Sequence, residues 1–411
     1  MRTSLTLSHL EYRRGSTLAG VLLCTALTFA QSDPSSIQPL RTTPTEKLTV
    51  NLGFRDWGPA TIAGTTILGG NPTGRGGLFA IDMATGKVKW TLRPVFNGGT
   101  ASVATAPAVS GDIAITPFAA AYPGAVVAVS LATGKEAWRG PDPAQHAMVA
   151  VNSGLAYVLS KDNNFYALDA ATGRERWKVG FARDNCDSVP IVRDGTVYVG
   201  GNVLVTPADA NRAAGYYRFL FALDAATGKE RWRYPEAPQA GLGSGVCLSQ
   251  PIVTADTVFA VGDESLYAVN LATGRERWKP IEIRRPVEGR VRAVAVRGLV
   301  DAGPVLIGMT PGFLIAFDKA SGATAWEVPG EYNVESPCTA VAGRVLYFQG
   351  SPNSAPAAHK RSTLHALDLD TRAILWSFSR PTQEPDWPFG HVTPVNGGLW
   401  ADSYQALVKL Q

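Results

Sequence analysis

The chain is short of charge, sulfur and histidine, and each shortage closes off a class of function. Charged residues make up only 18% of its 411 residues against 45% hydrophobic. That balance belongs to a chain with a large core, not to a disordered one. The net charge of +4 is spread thinly. Its densest basic cluster, "RRPVEGRVR" from Arg284 to Arg292, holds Glu288 and no interleaved aromatics. This reads as a solvated loop and gives no basis for nucleic-acid binding. The five histidines, His9, His146, His359, His365 and His391, show no metal-ligand spacing. No Walker loop, nucleophile elbow or vicinal cysteine pair occurs. Beyond residue 30, no apolar run is long enough for a membrane-spanning helix.

Residues 1–30 read as a secretory signal. Arg13 and Arg14 precede the apolar run Leu18–Ala30, and Thr28 and Ala30 fit cleavage after Ala30. The alternative is an N-terminal membrane anchor, for which that run is short. Cys24 lies inside the run, but Leu23 stands where a lipobox wants a small residue, so lipidation is not expected. Residues 31–45, rich in Pro, Ser and Thr, read as a flexible leader.

What the chain has in abundance is one repeated phrase, A-x-D-x-x-T-G-x-x-x-W. Its copies end at Trp90, Trp138, Trp177, Trp232, Trp278, Trp326 and Trp376. Regular spacing of this length marks stacked supersecondary units. The turn glycines are Gly86, Gly134, Gly173, Gly228, Gly274 and Gly322; the last copy has Arg372 instead. Each copy parses as two short strands joined by a tight turn. The aspartate accepts backbone N–H bonds and the glycine supplies a positive φ. At Arg372 the turn should be altered or strained. Upstream of each copy lies a second hairpin, as in "VPIVRDGTVYVGG". Each unit therefore has four antiparallel strands, A to D, which is a propeller blade.

Seven units carry all four strands, and "HVTPVNGGLWADSYQALVKLQ" supplies A, B and C of an eighth. "EKLTVNLG" aligns with "GKVKWTLR", placing Val50 where Trp90 sits. The expectation is an all-β, eight-bladed propeller over residues 46–411, a single domain whose last blade is closed by an N-terminal strand. Such closure removes exposed strand edges. The runner-up is seven blades with a frayed end. The repeated tryptophans are read as architectural. Each indole reaches the next blade's turn, where glycine leaves the peptide bare, and the alanine two residues before the aspartate leaves room for it. The other reading makes these rings a ligand-stacking platform.

"ALDAATGKERW", "ALDAATGRERW" and "AVNLATGRERW" resemble the tryptophan-docking motif of the pyrroloquinoline-quinone-like propeller repeats. The resemblance spans essentially the whole chain after the leader. It implies the fold and leaves two functions. One group, the quinoprotein alcohol and glucose dehydrogenases, holds the quinone and Ca²⁺ at the channel mouth, with an aspartate base and commonly a vicinal disulfide. The other comprises non-catalytic envelope scaffolds, including the propeller subunit of the outer-membrane β-barrel assembly machinery. No vicinal pair is present here, and no calcium set matches a motif. Weak candidates for cofactor binding are Asp184, Asn185 and Glu335 as oxygen ligands, and Asp386 and His391 ahead of the last inner strand. No catalytic or metal residue is assigned, and no cofactor is expected. The quinone with calcium is the alternative.

Two further readings come from the residues. "CDSVP" and "CLSQP" align as C-x-S-x-P in neighbouring units, so Cys186 and Cys247 could approach disulfide range. Otherwise the three cysteines after the signal, Cys338 included, are small buried hydrophobes. Extra length also falls in the B–C links Asn71–Gly77, Asn202–Arg218 and Ser351–Thr363. B–C and D–A loops emerge on one face of a blade, so that face becomes the candidate binding surface. Tyr216, Tyr217 and Arg218 are residue types suited to interface anchors. The expected protein is a monomeric, periplasmic or secreted scaffold that binds a protein partner in the cell envelope. A small quinone-dependent alcohol or aldose dehydrogenase is the alternative, and a peptide or glycan in the channel a third.

Overall fold

The fold is an all-β propeller of eight four-stranded antiparallel blades, seen in a computed structural model. The structure describes residues 36–411 apart from 52–59, 72–76, 97–98, 104, 120–123, 141–147, 161, 182–187, 207–214, 239–249, 263–264, 288–289, 295, 297, 311–312, 329–331, 334–338, 353–362, 380–390 and 404–405. Among these residues there is no α-helix. Blade 4 shows the plan. Its strands A (Ile191–Arg193), B (Thr196–Thr206), C (Gly215–Asp224) and D (Glu230–Tyr234) pair in chain order. The strands A of blades 2 to 8 touch in succession, from Ala108–Ser110 round to Val392–Val395, so strand A is innermost and D outermost.

The eighth blade closes as the sequence implied. Val392–Val395, Gly398–Ser403 and Ala406–Leu410 supply A, B and C, and Glu46–Asn51 supplies D. Val50 pairs with Leu407 and Thr49 with Val408. A methyl added at Gly86 of blade 1 would lie 2.9 Å from Val50 Cγ2, so this strand meets the next blade's turn.

The repeated phrase has one geometry. In all seven copies the alanine pairs across the sheet with the tryptophan: Ala80 with Trp90, Ala128 with Trp138, Ala167 with Trp177, Ala222 with Trp232, Ala268 with Trp278, Ala316 with Trp326 and Ala366 with Trp376. A larger residue there would stand in the way of the ring. The register then shifts by a bulge, which adds twist where the sheet meets its neighbour. Trp138 lies against Gly173 of blade 3, where an added methyl would sit 2.6 Å from Cε3. Trp90, Trp177, Trp232 and Trp278 lie in the same way against Gly134, Gly228, Gly274 and Gly322. The indole N–H donates to the carbonyl just after the next blade's turn aspartate or its equivalent. Trp90 donates to Leu131 (2.7 Å), Trp138 to Ala170 (3.0 Å), Trp177 to Ala225 (3.0 Å), Trp232 to Leu271 (3.0 Å) and Trp278 to Lys319 (3.3 Å).

Each turn is tied as its aspartate suggests. Asp224 Oδ1 accepts the N–H (2.9 Å) and the hydroxyl (2.8 Å) of Thr227, and Gly228 N–H donates to Asp224 O. Arg231 and these bonds hold the Asp224 carboxyl down at about 2. Arg372 keeps the same bond, its N–H donating to Asp368 O at 2.8 Å. It does so with φ at 63°, in the left-handed region costly for a side chain. The turn is therefore strained but not altered. Among the described residues Trp326, packed on the apolar cluster that holds Leu367 and Leu369 of blade 7, donates to no carbonyl.

Residues 36–45 differ from the flexible leader expected of them. Ile37 and Leu40 are buried in a cluster with Tyr347, Trp376, Leu399 and Val408. Trp376 donates to Leu40 O at 3.0 Å. The segment thus supplies the carbonyl that a C–D turn supplies elsewhere, because the eighth blade has chain ends in place of that turn. Composition pointed to a coil; contacts more than 300 residues away in sequence order the segment.

Candidate interaction face

B–C and D–A connections leave every blade on the same side; among the described residues three of them form β-ribbons, and Tyr332–Asn333 pairs with Ser351–Pro352 besides. The largest belongs to blade 4. The stretch Asn202–Arg218, read as a loop, is mostly paired strand. Asn202 faces Arg218, Val203 faces Tyr217 and Leu204 faces Tyr216, and only residues 207–214 lie between the two strands. Strand alternation then sorts the expected anchors. Leu204 and Tyr216 share one side of the ribbon and are 45% and 36% exposed. Tyr217 points the other way and is buried, its ring 5.0 Å from Phe219. It supports the ribbon and is not a surface anchor, which corrects the sequence reading. Arg218 is half-buried.

The basic cluster is also a ribbon and not a loop: Arg284–Val287 pairs with Arg290–Ala293. Arg284 bridges to Glu282 (2.7 Å), and Arg285 pairs with Glu327 while its guanidinium sits 4.9 Å over the Phe313 ring. Two of the cluster's charges are therefore held by carboxylates of blades 5 and 6. Val291 on this ribbon is 65% exposed. The third ribbon, Val95–Phe96 with Gly99–Thr100, joins blades 1 and 2. Phe96 is buried beneath Arg139, 4.6 Å from the ring centre, and Val95 is 72% exposed. Of the five large hydrophobics exposed among the described residues, Val95, Leu204, Tyr216 and Val291 all lie on these ribbons. The fifth, Val88, opens an outer strand on the opposite side.

Near the centre of the same face, His391 and Asp402 form a cross-strand pair at the head of strand A and the tail of strand B of blade 8. Both are buried, and Nδ1 of His391 lies 3.3 Å from Asp402 Oδ2. The His391 N–H also donates to Asp402 Oδ1. Burial pushes the Asp402 carboxyl up, against the pull of His391. The sequence offered no signal for Asp402, because the pairing needs the blade 8 register.

Of the five cofactor candidates only His391 is described; Asp184, Asn185, Glu335 and Asp386 lie outside the described residues, as do Cys186, Cys247 and Cys338. His391 turns its Nδ1 to Asp402, which fixes the orientation of the ring, and no step through a quinone or calcium is derived. Among the described residues no group of three His, Cys, Asp or Glu is placed to hold a metal ion. Among them, too, no helix is long and apolar enough to cross a membrane.

The family model described as outer membrane protein assembly factor BamB matches residues 38–144 and 123–378. The chain belongs to that family. Two curated relatives share parts of it. The outer membrane protein assembly factor BamB of Legionella pneumophila is 27% identical over 131 residues, covering 30% of the chain and 33% of that protein. The quinohemoprotein alcohol dehydrogenase ADH-IIG of Pseudomonas putida is 36% identical over 101 residues, covering 23% of the chain and 14% of that enzyme. The chain thus matches a third or less of either relative's length. The crystal structure of BamB from Moraxella catarrhalis superposes with a TM-score of 0.61 at 15% identity, over 90% of this chain and 100% of that one. At that identity the likeness is one of fold.

Proposed function

We propose that the protein is a non-catalytic scaffold of the cell envelope that engages a protein partner of outer-membrane protein assembly through its ribbon face. The observation that carries this reading is the gathering of exposed Val95, Leu204, Tyr216 and Val291 on ribbons of one face. Singly exposed apolar residues are ordinary on a protein surface, but their confinement to the ribbons of one face is what an interaction surface presents. Tyr216 beside Leu204 gives a rigid aromatic and an aliphatic side by side on a paired ribbon, a form suited to an anchor. Membership of the BamB family supports the choice of partner. The reading includes a cleaved signal at residues 1–30, a periplasmic or secreted location and a chain that is monomeric at low concentration.

The test is site-directed photo-crosslinking in intact envelopes. A photoreactive residue at 204, 216 or 291 should capture a component of outer-membrane protein assembly. The same residue at Thr65 or Asp112, in A–B turns of the opposite face, should not. Tyr216→Ala with Leu204→Asp should reduce the capture at 291 at least tenfold while leaving the unfolding free energy within about 0.5 kcal/mol, as expected of exposed positions. Equal capture from both faces would refute the assignment. Stoichiometric binding of pyrroloquinoline quinone and calcium with dye-linked alcohol oxidation would refute the absence of catalysis.

A further inference from the structure

We propose that residues 36–51 form an exchangeable arm, and that the cleft it fills across blades 7 and 8 is an interaction site for the same arm of a second copy of this chain. The arm behaves as a bound peptide. Gln38 N–H donates to Asn396 Oδ1 (3.2 Å), and Gly397 N–H donates to Gln38 O (3.0 Å). Leu40 N–H donates to Tyr347 Oη (2.7 Å), while Leu40 O accepts the Trp376 indole (3.0 Å). Arg41 bridges to Asp368. Thr45 and Gln411 exchange backbone bonds at 2.8 and 3.1 Å, and Glu46–Asn51 then pairs with Ala406–Leu410. Ile37 and Leu40 are its buried apolar anchors.

These contacts are all non-covalent, and the arm's partners lie in blades 7 and 8 and, for Leu48 and Val50, at the turn around Gly86 of blade 1. Along the chain the arm joins the rest of the ring through residues 52–59. An arm from a second copy would make the same hydrogen bonds, the same ion pair and the same strand register. The contact energies of the closed ring and of a reciprocally exchanged pair therefore cancel. The balance is set by the entropy of association against that of closing the chain on itself, so exchange is driven by concentration. The arm lies against the A–B turns at Gly343 and Gly397, on the face opposite the ribbons. An exchanged pair would leave both ribbon faces open, and this inference stands independently of the proposed partner.

The test uses the paired positions Thr49 and Val408. In full-length chains with Cys24, Cys186, Cys247 and Cys338 changed to Ser, one chain carries Thr49→Cys and a second Val408→Cys. Neither can form an internal disulfide. The two are refolded together at high concentration and oxidised. The expected result is a disulfide-linked pair containing one of each chain, with a yield that rises with protein concentration during refolding. It should be at least tenfold scarcer when the chains are refolded apart and then mixed. A single chain carrying both substitutions should form the bond internally at low concentration, which checks the register. Absence of the mixed pair while that internal bond forms would overturn the proposal. Failure of the internal bond would overturn it as well, since the arm would then not be seated as described.

Discussion

Gly173→Ala should cost far more stability than Gly111→Ala, although both glycines sit in tight turns with positive φ. At Gly111 φ is 59° and an added methyl meets nothing within 4 Å. The cost there is the left-handed backbone alone, about 1–2 kcal/mol. At Gly173 φ is 72°, so the same term applies, but the methyl would lie 2.6 Å from Trp138 Cε3 and 2.7 Å from Cδ2. Ordinary contact begins near 3.4 Å, so the ring must retreat by most of an ångström. Forcing a methyl into a packed contact costs about 1–3 kcal/mol. Retreat also stretches the bond from Trp138 Nε1 to Ala170 O, now 3.0 Å, worth about 1 kcal/mol. The sum is about 3–6 kcal/mol for Gly173→Ala, against about 1–2 for its control. Urea titration of both variants, followed by tryptophan fluorescence and by circular dichroism, measures the difference. Equal losses would refute the claim that the indole seated on the glycine peptide latches one blade to the next.

Arg372→Gly should stabilise the protein by about 1 kcal/mol, because it relieves a left-handed side chain in a turn whose bonds are already made; a lowered midpoint would contradict the strain. His365 should make stability fall with acidification. It is buried against Phe348 and beside Ser377, and burial lowers its pKa from 6.5 to about 4. The unfolded chain takes up this proton below about pH 6.5, whereas the folded chain does not until about pH 4. The neutral ring's contribution is therefore present above pH 6.5 and lost as pH falls through that window, by up to about 3 kcal/mol. Unfolding midpoints at pH 7 and pH 4.5 should converge for His365→Gln relative to the parent chain.

The ring was legible because its determinants are local and repeated. Alanine, aspartate, glycine and tryptophan at fixed offsets encode a strand pair, a turn and a place for an indole, and seven copies give seven of the eight blades. The missing fourth strand of the last blade could be found by aligning "EKLTVNLG" with "GKVKWTLR". What escaped the reading was set by distant partners or by strand length. Residues 36–45 have the composition of a coil and are held by Tyr347, Asp368, Trp376 and Asn396. Tyr216 and Tyr217 looked equivalent until the ribbon's alternation placed one outside and the other inside. The cluster at Arg284 looked solvated because Glu327, 42 residues on, is not its neighbour in sequence. His391 carried a weak signal, and Asp402, which meets it, carried none.

Hydrogen exchange of the unmodified protein, read by mass spectrometry over peptides 46–51 and 406–410, tests ring closure most directly. If the first strand completes the last blade, its amides should exchange as slowly as those of Glu230–Tyr234, an outer strand joined to its own blade by a turn. Exchange of 46–51 within seconds, with 406–410 losing protection alongside it, would mean the ring stands open.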